Sequence, residues 1–147
     1  MKNLLTLIAF LAVSLSGLAR DITADVEPPE WFTQARQALD AKNYDLAIQV
    51  LSKTPDRSNA DWNNLMGYSL RLKSPPQLPL AEQYYKAALV INPLHLGALE
   101  YYGELMLMKN DLAGAEALLK RLEAACVSDC EEARDLKKDI ANFKAKK

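Results

Sequence analysis

Apolar residues along most of this chain recur every three or four positions, the spacing of one face of an α-helix. Ala81, Tyr85, Ala88, Leu89 and Val90 follow that spacing, and Ile91 then meets Asn92 and Pro93, residues that stop a helix. Near the end of the chain Ala133, Leu136, Ile140 and Phe143 step by three, four and three residues. Asn43 with Tyr44, and Asn110 with Asp111, sit between paired helical patterns as turn residues do. No stretch alternates apolar and polar positions between hairpin turns, so no sheet is expected. The pattern predicts helices joined in antiparallel pairs.

These pairs echo one another. Ala47, Ala81 and Ala115 follow at intervals of 34 residues, and self-similarity at such a period marks units that bury their apolar faces only by stacking. Gly67 and Gly103 fall inside helical patterns, where glycine costs roughly 1 kcal/mol relative to alanine, so a packing reason is expected for both. One unit runs Trp62, Leu65, Met66, Gly67, Leu70, Ala81, Tyr85, Ala88 and Pro93. The next runs Leu99, Tyr102, Gly103, Met106, Ala115, Leu119 and Leu122.

In these residues the chain resembles the tetratricopeptide repeat (TPR) family, whose unit is a 34-residue helical hairpin. Trp31, Ala35, Ala38, Tyr44, Ala47 and Leu51 form a degenerate first copy without the usual glycine, and Val127 stands where the family usually has proline. The turn from Ser74 to Leu80 is about two residues long for the family and the first connection about two short. The resemblance implies an all-α fold: an α-solenoid of about three TPR hairpins, at 30–57, 60–93 and 96–125, with a C-terminal capping helix within 126–147.

The first 19 residues follow another plan. Lys2 precedes an apolar run over residues 4–18, and small residues, Gly17 and Ala19, stand three and one before Arg20. This is the layout of a secretory signal peptide, with cleavage expected after Ala19. The run, about fifteen residues, is shorter than the ~20 of a spanning helix, so no membrane span is expected after cleavage. Residues 20–29 read as a linker, and Pro28 and Pro29 lead into the first helix. The expected location is periplasmic or secreted, and the partner expected there is a protein or peptide of the cell envelope. A formal charge of -1 gives no general attraction to nucleic acid. The basic tail, with Lys137, Lys138, Lys144, Lys146 and Lys147, reads as a solvated helix face.

Cys126 and Cys130 are the only cysteines. In an oxidising compartment, two cysteines flanking a helix-to-helix turn read as a disulfide. The same spacing also suits a redox-active pair or two ligands of a soft metal such as copper(I), although His95, the only histidine, lies in a loop elsewhere. Ser128 with Glu131 has the spacing of a capping box for the last helix. Glu131, Glu132, Arg134, Asp135, Lys137, Lys138 and Asp139 are expected to form its outer, solvated side.

Catalytic constellations are missing. A single histidine cannot make the paired-histidine zinc motif, and no nucleophile elbow or phosphate-binding glycine loop is present. The chain reads as non-enzymatic and no cofactor is expected. In the family, the first helix of each hairpin lines a concave groove. Carried onto this sequence, the groove residues are Arg36, Asp61, Asn64, Tyr68, Arg71, Glu100 and Glu104, with Met108 at the edge. Two acids in the third copy imply a ligand with a basic residue or free amine at that end, and with an acidic group near Arg36 or Arg71. The expected function is an exported adaptor. A thiol-redox or copper-handling protein and a structural accessory subunit of an envelope complex are the alternatives.

Overall fold

The computed structural model describes residues 27–146. The expected leader at 1–19, the linker up to residue 26 and Lys147 lie outside the described residues. Among the described residues the chain forms seven α-helices and no strand: α1 (Glu30–Asp40), α2 (Tyr44–Lys53), α3 (Ala60–Leu72), α4 (Leu78–Ile91), α5 (Leu96–Met108), α6 (Leu112–Ala125) and α7 (Glu131–Ala145).

Local chemistry sets most of the starts. Asn43, Asn59, His95 and Asp111 each accept a hydrogen bond from a backbone N–H of the first turn of the helix they precede, which satisfies a donor that has no partner within the helix. The α1–α2 and α5–α6 turns pass through the left-handed region at Lys42 (φ 54°) and Asn110 (φ 61°). The expected turn from Ser74 to Leu80 is shorter than its sequence suggests. Helix α4 already begins at Leu78, because Pro79 falls in its first turn, where a missing N–H costs no helical hydrogen bond.

Consecutive helices pair into the hairpins α1–α2, α3–α4 and α5–α6, and each hairpin packs on the next through α2–α3 and α4–α5. The odd-numbered helices also touch one another, whereas α2, α4 and α6 do not. The two layers therefore differ in spacing, and the odd helices form the inner side of the stack. One apolar core runs through all three hairpins and into α7, with Leu51, Trp62, Tyr85, Leu99, Leu105, Leu122 and Leu136 fully enclosed. The alanines 34 residues apart, Ala47, Ala81 and Ala115, are all completely buried.

The two mid-helix glycines have the packing reason their cost demands. A Cβ on Gly67 would stand 2.8 Å from the Tyr85 ring of α4, and one on Gly103 would stand 2.5 Å from Leu136 of α7. Gly103 thus serves the last helix and not its own hairpin partner. Helix α7 buries Leu136 and Ile140 against α5 and α6, closing the core, and Lys144 pairs with Glu116 of α6 at 2.6 Å. The expected capping box does not form. Cys126 and Cys130 are joined as a disulfide with Cα atoms 5.9 Å apart, and Cys130 is the residue before the helix, which leaves Ser128 two positions too early to cap it. Asp129 instead accepts two bonds from Arg134, at its carbonyl and its carboxylate.

Candidate functional site

Asp61, Asn64, Tyr68 and Arg71 step along α3 by three, four and three residues, which places them on one stripe. That stripe faces α5, and each residue meets one 33 or 34 positions later. Asp61 Oδ1 lies 3.1 Å from His95 Nε2. The Asn64 side-chain nitrogen packs where a Cβ on Gly97 would be, 3.2 Å away. The rings of Tyr68 and Tyr101 have centroids 4.7 Å apart. Arg71 and Glu104 form an ion pair at 2.6 Å.

Arg71 is the keystone of this α3–α5 seam. Its side chain is 6% exposed, its Nε donates to Tyr85 Oη at 3.3 Å, and its guanidinium lies 5.4 and 5.7 Å from the ring centroids of Tyr68 and Tyr101. A charge this enclosed is tolerated because an anion, a hydroxyl and two π faces replace its water. Burial raises the Tyr68 and Tyr85 hydroxyls and takes Tyr101 to about 12, so all three stay protonated at neutral pH.

Glu100 has no comparable partner. It is 7% exposed, and its carboxylate makes no hydrogen bond or ion pair among the described residues. Burial above all, then the neighbouring charges of Glu104, Glu132 and Asp135, push its carboxyl up to about 8, with Arg71 opposing. Glu104 is also held above the usual carboxylate range by burial, against the pull of Arg71 and with help from Asp139 and Asp135. Asn64, buried at 6% exposure, leaves its side-chain carbonyl without a donor among the described residues.

These fields add to the expected outer side of α7, on which Asp135 is exposed and Glu132 and Asp139 are half-buried. Glu132, Asp135 and Asp139 act on the carboxylates of α5, and Asp139 lines a depression shared with Arg71 and Glu104. The reason is the seating of Leu136 against Gly103, which brings α7 close to α5 and turns the flank carrying residues 132, 135 and 139 toward the inner face.

Two depressions flank the seam. One, about 190 Å³, is lined by Arg36, Leu39, Asp40, Leu65, Tyr68 and Tyr101; the other, about 350 Å³, includes Leu107, Met108 and Phe143 beside Arg71 and Glu104. The residues expected to line a groove thus gather on the odd-helix face, but in two roles. Asp61, Tyr68, Arg71 and Glu104 hold helix to helix, whereas Arg36 is exposed and Glu100 and the Asn64 carbonyl are unpaired. Tyr101, Glu132, Asp135 and Asp139 join the face without having been expected there. An offset of 33 from Tyr68 points to Tyr101, and helical spacing around Leu136 points to the three acids.

The disulfide pair lies away from this face, beside Arg134 and Lys137 in a separate depression of about 330 Å³. Among the described residues no three histidine, cysteine or carboxylate side chains converge as metal ligands, and no helix is long and apolar enough to cross a membrane. Compared with protein-family models and with curated proteins, the chain matches none.

Proposed function

We propose that this chain is an exported, non-enzymatic interaction module of the tetratricopeptide type, and that its odd-helix face is a groove for a segment of an envelope protein. One observation carries the reading: side chains from α1, α3, α5 and α7 gather on a single inner face with a depression on either side of the α3–α5 seam. A rigid face of this kind loses little freedom on binding, because its polar groups are already positioned by the fold. Since Arg71 is committed to Glu104, the exposed Arg36 in the smaller depression and Lys146 in the larger are the cations left for an acidic group of the ligand.

The test is capture from an envelope extract by the purified chain and by the variant Arg36→Ala/Tyr68→Ala/Glu100→Gln, with circular dichroism confirming that the variant stays helical. A partner lost by the variant supports the groove; an identical set of captured proteins overturns it. Thiol exchange at Cys126–Cys130 is a second reading with one observation in its favour, the cation Lys137 beside the pair, which would favour a thiolate against the acids Glu123 and Asp129 of the same depression. Failure of the reduced chain to reduce a disulfide-bonded test protein would remove it.

A further inference from the structure

Along α5 and α7, the carboxyl groups of Glu132, Asp135 and Asp139 act on those of Glu100 and Glu104, and the cations nearby are Arg71, which Glu104 already holds, and Lys146, which lines the depression beside Glu104 and Asp139. Glu100, nine-tenths buried, reaches into this cluster without a partner among the described residues. A carboxyl in so enclosed a residue beside like charges is costly, and a cation rich in N–H donors relieves that cost.

We infer that the α5–α7 seam is the seat of an ammonium or guanidinium group, supplied by a lysine or arginine side chain of the segment bound on this face, with Glu100 as its ion-pair partner. The inference rests on the interaction-module reading and gives it a chemistry. An organic cation fits better than a metal ion, because no three ligating side chains among the described residues converge. The stem of a long basic side chain also has apolar ground beside the Glu104 end of the seam, in Leu107, Met108 and Phe143.

Seating is coupled to a proton. With burial and its neighbours holding the Glu100 carboxyl up to about 8, the group is neutral at pH 6, and an arriving cation ionises it and releases its proton. The charged groups facing it are Glu104 on its own helix, Glu132 and Asp135 on α7, and Arg71 on α3; the protonated hydroxyls of Tyr68 and Tyr101 also stand near it, and Lys146, just past α7, lines the depression beside Glu104. On α4, Glu82 is engaged by Lys86, Lys109 and Tyr102, and on α6, Glu116 pairs with Lys144 and Arg121 donates to the Pro93 carbonyl. None of these is available to neutralise Glu100.

The probe is acetyl-pentaarginine amide, with acetyl-pentacitrulline amide as a neutral control of the same length, titrated calorimetrically into the purified chain. Pentaarginine affinity should rise about tenfold between pH 6 and pH 8, with a heat that varies with buffer ionisation enthalpy. Glu100→Gln should abolish both the pH dependence and the proton release, and Asp135→Asn should weaken binding and reduce both without abolishing them. A flat pH profile, equal binding of pentacitrulline, an unchanged profile in Glu100→Gln, or displacement of the peptide by millimolar calcium overturns the inference. The broader reading fails separately. A partner held equally well by Glu100→Gln but lost on Arg36→Ala/Tyr68→Ala keeps the groove and sinks the cation seat. Glu100-dependent pentaarginine binding without any face-dependent partner sinks only the groove.

Discussion

The α3–α5 and α5–α7 seams are built alike and charged differently. In each, a helix of the odd layer lays a polar stripe against the next. Across the first, Asp61 meets His95, tyrosine meets tyrosine and Arg71 meets Glu104. Across the second, the apolar seating of Leu136 against Gly103 is flanked by carboxyl groups on both sides. Apart from the Asn64 carbonyl, the first seam is closed in itself. The second is held by apolar packing despite its charges, and that difference separates structural polar residues from residues with something still to bind. Polar character on a repeat's inner face is therefore no guide to ligand contact until the residues across the seam are known.

The largest effect is expected where the closed seam is opened. Arg71→Met removes the cation but leaves Glu104 enclosed, and breaking a buried pair from one side costs about 3–5 kcal/mol. Urea unfolding should show that loss, and Arg71→Met/Glu104→Met should recover much of it. If the double variant is as unstable as the sum of its two single variants, the ion pair is not the organising contact of the seam.

Leu136→Ala is next. It strips the fully buried side chain that seats α7 and should cost about 3 kcal/mol. The same change should blunt the pH dependence attributed to Glu100, because α7 would carry Glu132 and Asp135 away from it. A shift of the melting temperature without any change in that pH dependence would mean that the acids of α7 do not act on α5.

The all-helical hairpin architecture was legible in the sequence because helical period, turn residues and small residues all encode local geometry. What lies across a seam was not. The resemblance makes Asn64 and Glu100 equivalent positions, 36 residues apart, whereas contact joins Asn64 to Gly97 and Tyr68 to Tyr101, because stacked helices meet with a stagger. Arg71 was expected to face a ligand for the same reason: exposure is a tertiary property, and its partner Glu104 belongs to another unit. The acids of α7 were assigned to solvent because charge on a terminal helix usually is solvated, and Asp135 is exposed as expected; their reach to the carboxylates of α5 was not legible. Only the Gly103–Leu136 contact reveals how far that helix turns inward.

Glu100→Gln sharpens the comparison through pH, and the sign follows from proton binding. The native carboxyl, raised to about 8, holds its proton across a range where the unfolded chain, near 4.5, has released it. Stability on account of this group is therefore full below the unfolded value and is lost as pH rises through 8. The neutral amide escapes that loss. Its melting temperature should match that of the parent near pH 4.5 and exceed it by about 5 °C at pH 8. Equal melting temperatures at both values would mean that Glu100 is solvated and ionised, and would remove the contrast between the seams.

The smallest effect belongs to the exposed end of the closed seam. His95 Nδ1 accepts the Ala98 N–H at 3.2 Å as the cap of α5, which fixes the remaining proton on Nε2, where it is donated to Asp61. The cap and the link to Asp61 are therefore separable. Asp61 is well exposed, and exposed pairs contribute roughly 0–1 kcal/mol, so Asp61→Asn should shift the urea midpoint barely at all. His95→Ala loses the cap as well and should cost about 1 kcal/mol. If Asp61→Asn instead proves as damaging as His95→Ala, the pair is a coupled element of the seam and its closure extends along the whole length of α3.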